Sequence, residues 1–475
     1  MPGPDARRST CAEVANWSQV AGSGARRPIV YDVFTEHSPF LKEGVPPRMK
    51  VAIGIALVAT FMCALQITAM VCGFRGPLAR LIGDYVGTPA GFTVPWAALV
   101  VALVAVPRRY RLPAVAAALG FDVLFVVGRG LLGLPSAMGS GALVVLTGLG
   151  GFALLRWTGP QRDTALKGVA TGLLLVLATK AGDAWLMITS LTRPTVLDEF
   201  AVRADVALGQ PAWVLGQLVQ HHSVLYFVLH WVYLELSAAA TVVAIYQLRN
   251  VTTGGRWPRH FVVRTFLVLG LVGPLIYLMF PLVGPTYAFG PAGGGFQVGD
   301  FWPALLPPVD GAPVSMAFDS STPRNCMPSL HTAWALAVFI HSRSGPRWLR
   351  IGGTCWLVGT LAATLGFGFH YGVDLVVGAT LCLTVESALR EPVRPGNQAR
   401  LRLVAGGVAI IVGLMLCVRY LSEWMAAYPI MFGLLIIGAF ATLGYGFYTT
   451  FFSRPGAPAP AIEQLPGEAS ESPTV

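Results

Sequence analysis

The sequence predicts an all-α fold, a polytopic bundle of membrane-spanning helices. Of the 475 residues, 54% are hydrophobic and 12% are charged, whereas a soluble domain carries about 25% charged residues. The apolar residues also come in helix-length blocks, and the first of these, residues 51–74, contains no charged side chain. Because about 20 apolar residues cross the hydrocarbon core of a bilayer, each block of this kind is a candidate transmembrane helix.

Counting these blocks predicts about twelve transmembrane helices. We place them at 51–74, 91–107, 113–134, 141–156, 166–190, 222–248, 263–283, 328–342, 350–369, 373–389, 403–421 and 427–451. With the N-terminus inside, most of the 33 Lys and Arg residues fall on the cytoplasmic side, as the positive-inside rule requires. The net charge of +10 therefore indicates orientation in a cell (plasma) membrane and not a nucleic-acid partner.

Composition divides the chain into five regions. The two ends are polar and rich in Pro, which predicts disordered cytoplasmic tails. Ionisable residues concentrate in the third region, and the second and fourth are mainly apolar. The boundaries are 1–47 for the first tail, 48–197 for an N-terminal transmembrane scaffold, 198–390 for the polar-rich region, 391–452 for C-terminal transmembrane helices and 453–475 for the second tail.

Two long segments and one charge pair lead to further expectations. Apolar residues recur at helical spacing in 191–222, which predicts amphipathic helices on the outer membrane surface. The Gly/Pro-rich stretch 284–327 predicts an irregular loop of the kind that forms lids or binding loops. Lys180 and Asp183, three residues apart, are expected to form an ion pair within the membrane.

Two histidines are candidate catalytic residues. His331 begins the eighth predicted span and His370 ends the ninth, so the chain crosses the membrane twice between them and both are expected at the outer face. Asp374 follows His370 by four residues and would share its helix face. A carboxylate supports positive charge on an attacking imidazole, and a second histidine supplies general acid and base catalysis.

The stretch "RNCMPSLH" (324–331) adds a candidate phosphate site. Pro328 is suited to a first helical position, which would leave the N–H groups of Ser329 to His331 free to bind an anion. The Ser329 hydroxyl is a further donor, and Arg324 offers a planar clamp for phosphate oxygens. These residue types together predict phosphoryl transfer with a covalent histidine intermediate. Tyr287 is either an interfacial aromatic residue or part of the path by which a lipid reaches the site.

Two motifs resemble those of a known family. "PSLHTA" (328–333) and "HYGVD" (370–374) look like the second and third motifs of the type 2 phosphatidic acid phosphatase superfamily. More narrowly they resemble the branch with inositol phosphorylceramide synthases and bacterial inositolphosphotransferase-like proteins, to which "FPLVGPTYAFG" (280–290) and "RNCMPSLH" are also similar. The resemblance covers roughly 198–390 and implies that this region is the catalytic domain.

The resemblance implies a helical membrane bundle with its site at the outer face. It makes His370 the nucleophile, Asp374 its partner, His331 the acid and base, and Ser329 a phosphate ligand. Two features depart from the family pattern. The first motif, a Lys six residues before an Arg-Pro pair, is absent, and Thr364 stands where the third motif has an Arg. Arg324 is expected to compensate, and both departures favour the transferase-like branch.

The sequence therefore predicts a membrane phosphotransferase or phosphohydrolase that acts on a lipid phosphate or a phospho-headgroup at the extracytoplasmic face. The acceptor is water or a polyol such as inositol. No metal or other cofactor is expected, because no carboxylate cluster resembles a magnesium site. The alternatives are a lipid transporter or flippase, which would need charged sites in both halves of the chain, and a non-catalytic lipid-binding member of the family.

Overall fold

The computed structural model of the protein describes residues 47–89, 91–254, 256–308, 311–392 and 397–452. It is 74% helical, and its described strands are two residues long, so the predicted all-α fold class is confirmed. The tails predicted at 1–47 and 453–475 lie outside the described residues, apart from Pro47, which begins the first helix.

Six helices form the N-terminal part of the chain: α1 Pro47–Val71, α2 Pro77–Tyr85, α3 Thr93–Val104, α4 Arg108–Leu131, α5 Ser140–Arg156 and α6 Gly159–Thr192. The middle part contains β1 Thr195–Val196, α7 Asp198–Ala204, α8 Pro211–His221, α9 Ser223–Leu234, α10 Leu236–Leu248, α11 Val262–Met279, α12 Pro285–Ala288 and β2 Met316–Ala317, with 3-10 turns at Asp205–Leu208 and Pro291–Gly293. The last six helices are α13 Leu330–Ser342, α14 Arg347–Gly366, α15 Gly372–Leu389, α16 Gln398–Tyr420, α17 Ser422–Ala427 and α18 Pro429–Phe451.

Seven helices in the described part of the chain are long and apolar enough to cross a membrane: α1, α4, α6, α11, α15, α16 and α18. An eighth span results if α9 and α10, bent by 52° at Glu235, count as one broken helix. A membrane bundle is therefore supported, but the predicted count of about twelve spans is not.

The remaining predicted spans contain helices that fail on length or apolarity. Helices α3, α5 and α13 have 12, 17 and 13 residues. At 1.5 Å per residue α13 is about 20 Å long, shorter than the roughly 30 Å hydrocarbon core. Helix α14 has 20 residues but begins with Arg347 and Arg350. The apolar blocks of the sequence located the helices, but they did not reveal where each helix ends.

Helix α6 connects the N-terminal helices to the rest of the bundle. It packs against α3 and α5 on one side and against α11 on the other, while α3 also contacts α10. The α3–α6 approach is very close at Gly172, where an added Cβ would lie 2.6 Å from the carbonyl oxygen of Ala98. A glycine at this position therefore allows the two helices to pack along their backbones.

The prediction of surface helices in 191–222 is wrong for α7, whereas α8 is amphipathic and keeps one exposed face, with Val214 and Leu218 on it. Helix α7 is buried along nearly its whole length, and Phe200 and Ala201 belong to the main hydrophobic core. Strand β1 pairs antiparallel with β2, with Thr195 opposite Ala317. The spacing of apolar residues did not reveal that the polar face of α7 is also buried, where Asp198 accepts hydrogen bonds from the Val283 and Gly284 N–H groups.

The predicted pair of Lys180 with Asp183 is also wrong. Lys180 Nζ lies 2.7 Å from Asp84 Oδ2, and Asp183 Oδ2 lies 3.3 Å from Arg80 Nη1. Both partners come from α2, which packs alongside α6. Lys180 and Asp183 of α6 thus each form an ion pair with a residue of α2, and these two pairs hold α2 against α6.

Candidate active site

A cavity of about 430 Å³ lies between α3 and α6 on one side and α10, α11 and α13 on the other. His331 and His370 both line it, together with Asn325, Tyr233 and Tyr277. The structure therefore brings the two candidate histidines, which are far apart in sequence, to a single cavity.

Helix α13 begins two residues later than predicted. Its N-cap is Ser329 and its first residue is Leu330, so the expected role of Pro328 as first helical residue is wrong. The Ser329 hydroxyl accepts from the Thr332 N–H at 3.3 Å and from the Thr332 hydroxyl at 3.0 Å. The Ser329 N–H donates to the carbonyl of Asp374 at 3.2 Å. Ser329 is fully buried and lies outside the cavity lining; it joins α13 to the start of α15.

His331, in the first turn of α13, is held by aromatic contacts. Its ring stacks on Tyr233 at 4.0 Å between centroids and meets the edge of Trp334 at 6.0 Å. In the described part of the chain no hydrogen bond reaches its side chain, so packing alone sets the orientation of the ring. Its nitrogens are available to a molecule in the cavity.

His370 precedes α15 and is fixed by a main-chain acceptor. Its Nδ1 lies 2.7 Å from the carbonyl oxygen of Cys326. A carbonyl can only accept, so Nδ1 carries the proton and Nε2 keeps its lone pair. Burial lowers the pKa of His370 to about 4, although the hydrogen bond to Cys326 acts in the opposite direction. The ring is therefore neutral at pH 7, with Nε2 as its nucleophilic atom.

Asp374 lies behind His370 and does not bond to it directly. Its Oδ2 is 3.7 Å from His370 Nδ1 and accepts from the Tyr371 N–H at 2.8 Å and from the Cys326 thiol at 2.7 Å. The expectation of a shared helix face is wrong, because His370 precedes α15 and the Asp374 carboxylate folds back over the helix start. The Cys326 carbonyl sets the tautomer, and Asp374 places negative charge beside the ring.

Residues 201–387 match the family model of the PAP2 superfamily. The match supports the PAP2 (type 2 phosphatidic acid phosphatase) superfamily for this part of the chain. Its members are typically phosphatases or phosphotransferases, and the apolar helices fit a membrane phosphatase-like protein that acts on lipid phosphate substrates. Residues 49–188 match a second model, described as a domain of unknown function (DUF5933). No curated protein and no solved structure matches the chain.

Two buried acids that the sequence reasoning missed support the His370 loop: Asp198, just before the PAP2 segment, and Asp205, within it. The Asp198 carboxylate accepts from the N–H groups of Val283 and Gly284 at 3.1 and 2.8 Å and from the Tyr371 hydroxyl at 2.8 Å. Burial raises the pKa of Asp198 to about 6, and these hydrogen bonds lower it in part. The carboxylate therefore connects two loops around His370.

Asp205 binds the start of α15. Its Oδ1 accepts from the Val373 N–H at 3.0 Å, which satisfies one of the free donors at a helix N-terminus. Burial raises the pKa of Asp205 to about 7, while hydrogen bonds from Val373 and Gly372 lower it. The sequence did contain a signal for these two buried acids, because Asp198 and Asp205 are the first and last residues of "DEFAVRAD". We had assigned this stretch to a surface helix.

The stretch 280–290 supports the backbone next to His370. Gly284 has φ +97°, and an added Cβ would lie 2.4 Å from the Phe369 carbonyl oxygen. The Thr286 N–H donates to the Gly368 carbonyl at 2.9 Å. Tyr287 is half-buried in α12 and lies outside the cavity lining. The stretch 280–290 therefore packs against the backbone of Gly368 and Phe369, immediately before His370.

Arg324 does not reach the cavity. It is fully buried, and its guanidinium donates to the carbonyl oxygens of Arg193 at 3.2 Å, of Asp319 at 2.6 Å and of Thr322. These bonds hold the loop before α13. The next residue, Asn325, lines the cavity instead. Its position next to Arg324 in "RNCMPSLH" could have marked it as a candidate site residue, but the sequence reasoning overlooked it.

The cavity lining contains no Lys or Arg among the residues that the structure describes. Thr364, at the position where the PAP2 motif has an Arg, is buried and donates to the Leu361 carbonyl of its own helix. The polar groups of the lining near the histidines are neutral: Asn325, Tyr233 and Tyr277. The lining also contains the carboxylate of Asp183, whose charge is paired with Arg80 at 3.3 Å. The site is thus suited to an anion of low charge.

Among the residues that the structure describes, two groups of side chains have donor atoms within 4.8 Å of one another, a spacing that could hold a metal ion: Cys326 with His370 and Asp374, and His260 with His341 and Glu386. In the first group the thiol already donates to Asp374, and Nδ1 of His370 donates to a carbonyl. Those atoms are occupied by hydrogen bonds, and Nε2 of His370 has no hydrogen-bond partner among the described residues.

Proposed function

We propose that the protein is a membrane phosphotransferase that moves a phospho-headgroup from a lipid phosphodiester to a hydroxyl acceptor, through a phosphohistidine at His370. One observation carries the proposal: His331 and His370 line the same cavity, and the tautomer of His370 leaves Nε2 as the free nucleophile. The extracytoplasmic face, inferred from the distribution of basic residues, is part of the proposal.

In the first half-reaction, His370 Nε2 attacks phosphorus, and the N–P bond forms as the P–O bond to the leaving alcohol breaks. Burial and the neighbouring His370 lower the pKa of His331 to about 3. The charge of the bound phosphate raises it again, so that His331 starts this step protonated and gives its proton to the departing oxygen. The Asp374 carboxylate, 3.7 Å from Nδ1, stabilises the positive charge that develops on the imidazole ring.

In the second half-reaction, His331 takes the proton of the acceptor hydroxyl, whose oxygen attacks phosphorus. The new P–O bond forms as the N–P bond breaks, and neutral His370 is restored. Asn325 and Tyr233 line the cavity, and their side chains are the proposed donors to the phosphate oxygens. A polyol such as inositol as acceptor gives a transferase, whereas water gives a phosphohydrolase.

The charge of the site favours a phosphodiester over a phosphomonoester. A diester carries one negative charge at pH 7, and a monoester carries between one and two. Burying the second charge without a cation is costly, and the described lining offers no Lys or Arg. Loss of the family's two cationic positions is therefore consistent with headgroup transfer, the activity of the inositolphosphotransferase branch.

The test is turnover by the purified full chain in lipid nanodiscs. A panel of phospholipids and prenyl phosphates is offered with and without inositol, and free phosphate and the headgroup product are both measured. We expect headgroup product that depends on the acceptor. His370→Ala should lower turnover by at least about 10⁴-fold, as loss of a nucleophile does, and His331→Ala by about 10²–10⁴-fold.

His230→Ala is the matched control, since His230 is an exposed histidine of α9 outside the cavity and should leave turnover unchanged. Wild-type rates in both cavity variants would overturn the mechanism. Release of free phosphate regardless of inositol would identify a hydrolase. Lipid movement across the bilayer without any chemical product would favour the transporter alternative.

A further inference from the structure

One wall of the reaction cavity comes from outside the PAP2 segment. Ala97 and Val101 of α3 and Leu175, Ala178 and Gly182 of α6 line it, and these helices lie within the match to the domain of unknown function. The contacts of α3 with α10 and of α6 with α11 close the cavity on this side. The PAP2 segment alone therefore does not form the complete cavity.

The cavity is long and mainly apolar. On the PAP2 side its lining runs along α11 from Val263, near the start of the helix, to Tyr277, near its end. Fourteen residues of α-helix measure about 21 Å, well over half of the roughly 30 Å hydrocarbon core. The histidines lie at the Tyr277 end, where Tyr277 donates to the carbonyl of Pro328 just before α13. Away from them the lining is largely hydrocarbon.

Small residues keep the cavity open. Gly182, Gly270 and Ala240 line it, and a Cβ added at Gly182 would meet no described atom within 4 Å. A larger side chain at position 182 would therefore begin in open space at the cavity wall. A headgroup-sized substrate needs no such extension, whereas a hydrocarbon chain buries apolar surface along it.

We infer that α3 and α6 form a chain-binding wall, which holds the hydrocarbon chain of the donor lipid while its phosphate lies at His370. This inference rests on the proposed function for the phosphate end of the lipid. It gives the N-terminal helices a role in substrate selection: the space between α6 and α11 sets the length and bulk of the chain that the enzyme accepts.

The first experiment compares Gly182→Phe with the wild type on phosphodiester lipids that share one headgroup and carry chains of 6 to 18 carbons. We expect kcat/KM for the longest chains to fall about tenfold relative to the shortest, the effect of excluding roughly two methylene groups. Gly148→Phe is the matched control, because Gly148 of α5 also has no described atom near its Cβ position but lies outside the cavity. It should keep the wild-type profile.

An equal loss on all chain lengths, or the same shift in Gly148→Phe, would overturn the chain-binding wall while leaving the phosphotransferase proposal intact. Absence of turnover in the wild type would instead refute the proposed function. A binding experiment then tests the wall independently.

That experiment uses a phosphodiester lipid with a diazirine in its chain and the His370→Ala variant, which retains the lipid. Labelled peptides should come from α3 and α6, and excess lipid with the same headgroup should compete, whereas diacylglycerol should not. Labels spread over α1 and α4, or competed equally by diacylglycerol, would indicate bilayer lipid only and refute the inference.

Discussion

Helix α13 joins two clusters of histidine and carboxylate with different chemistry. The cavity cluster, at the start of the helix, consists of Cys326, His370 and Asp374. The Glu386 network, at its end, is built around His341 and Glu386. Burial does not separate them, because His370 is 4% and His341 3% exposed. The difference lies in which hydrogen-bonding atoms have partners.

In the Glu386 network both nitrogens of His341 are occupied. Gln247 accepts from the Val262 N–H at 3.0 Å through its oxygen, so its amide nitrogen donates to His341 Nδ1 at 2.9 Å. The proton of His341 is therefore on Nε2, which donates to Glu386 at 2.8 Å. Arg390 also bonds Glu386, at 2.9 and 3.1 Å, and balances its charge.

In the cavity cluster the histidine has the opposite tautomer to His341, and one of its nitrogens has no hydrogen-bond partner within the described part of the chain. The proton of His370 is on Nδ1, bound to a carbonyl, and Nε2 has no hydrogen-bond partner among the described residues. Asp374 likewise keeps Oδ1 without a partner in that part of the chain. In the Glu386 network His260 Nδ1 also lacks a partner among the described residues, but His260 lies outside the cavity lining, whereas His370 lines the cavity. Similar residues therefore suggest reactivity only where the atom without a partner can meet a substrate. We therefore expect the Glu386 network to stabilise the fold and the cavity cluster to catalyse.

The largest expected effect is on stability, in Glu386→Gln. This change leaves Arg390 beside an uncharged amide in a buried network, and breaking a buried pair of this kind costs about 3–5 kcal/mol. The measurement is thermal unfolding of the purified protein in detergent, with kcat determined on the fraction that remains folded. We expect a clear fall in Tm and an unchanged kcat. A Glu386→Gln variant with a normal Tm and a lowered kcat would contradict the assignment of the Glu386 network to stability.

Asp374→Asn should give the reverse pattern. Asparagine keeps the shape of the side chain and can still accept from Tyr371 and Cys326, but it carries no charge for the imidazolium that forms. Loss of one electrostatic stabiliser lowers kcat by about 10²–10³-fold, and we expect Tm to stay close to the wild-type value. Steady-state kinetics and a melting curve of the same preparation test this. A variant that melts early with an unchanged kcat would assign Asp374 to folding alone.

The smallest effect concerns pH. The pKa of His370 is lowered to about 4 by burial, so the ring gains a proton, and loses its nucleophile, only as the pH falls through this value. In the His331→Ala variant, where His370 is the one histidine of the proposed reaction that still titrates, the residual kcat/KM for a phosphodiester lipid should be about 97% as high at pH 5.5 as at pH 7.5, whereas a histidine of ordinary pKa, near 6.5, would keep roughly one-tenth. An acid limb near pH 6.5 would contradict the buried position of His370. Circular dichroism over the same range controls for unfolding.

The sequence was sufficient for the fold class and for the pairing of the two histidines. Helix-length apolar blocks follow from the thickness of a bilayer, and two short motifs on consecutive helices return His331 and His370 to one end of a helical hairpin. Both depend on local spacing, which a sequence displays directly. The role of each histidine in catalysis stays a prediction.

Other features depended on contacts between residues distant in sequence. Arg324 was expected to bind phosphate because its type and place in the motif suited that role. Its partners are carbonyl oxygens at residues 193, 319 and 322. Every residue has a main-chain carbonyl, so the sequence pattern does not indicate which of them accepts a hydrogen bond. The contribution of α3 and α6 to the cavity was equally hidden, since their apolar residues look the same whether they face lipid, protein or a substrate.

The main-chain position of the Cys326 acceptor has a consequence for genetics. The oxygen that orients the proton of His370 belongs to the backbone, so no amino-acid exchange at position 326 deletes it. A saturation mutagenesis screen would register only the side-chain part of this residue, the thiol on Asp374, and would undervalue the position. The tautomer of His370 depends on where the backbone places the Cys326 carbonyl. Substitutions would therefore change this tautomer only where they shift the backbone at position 326.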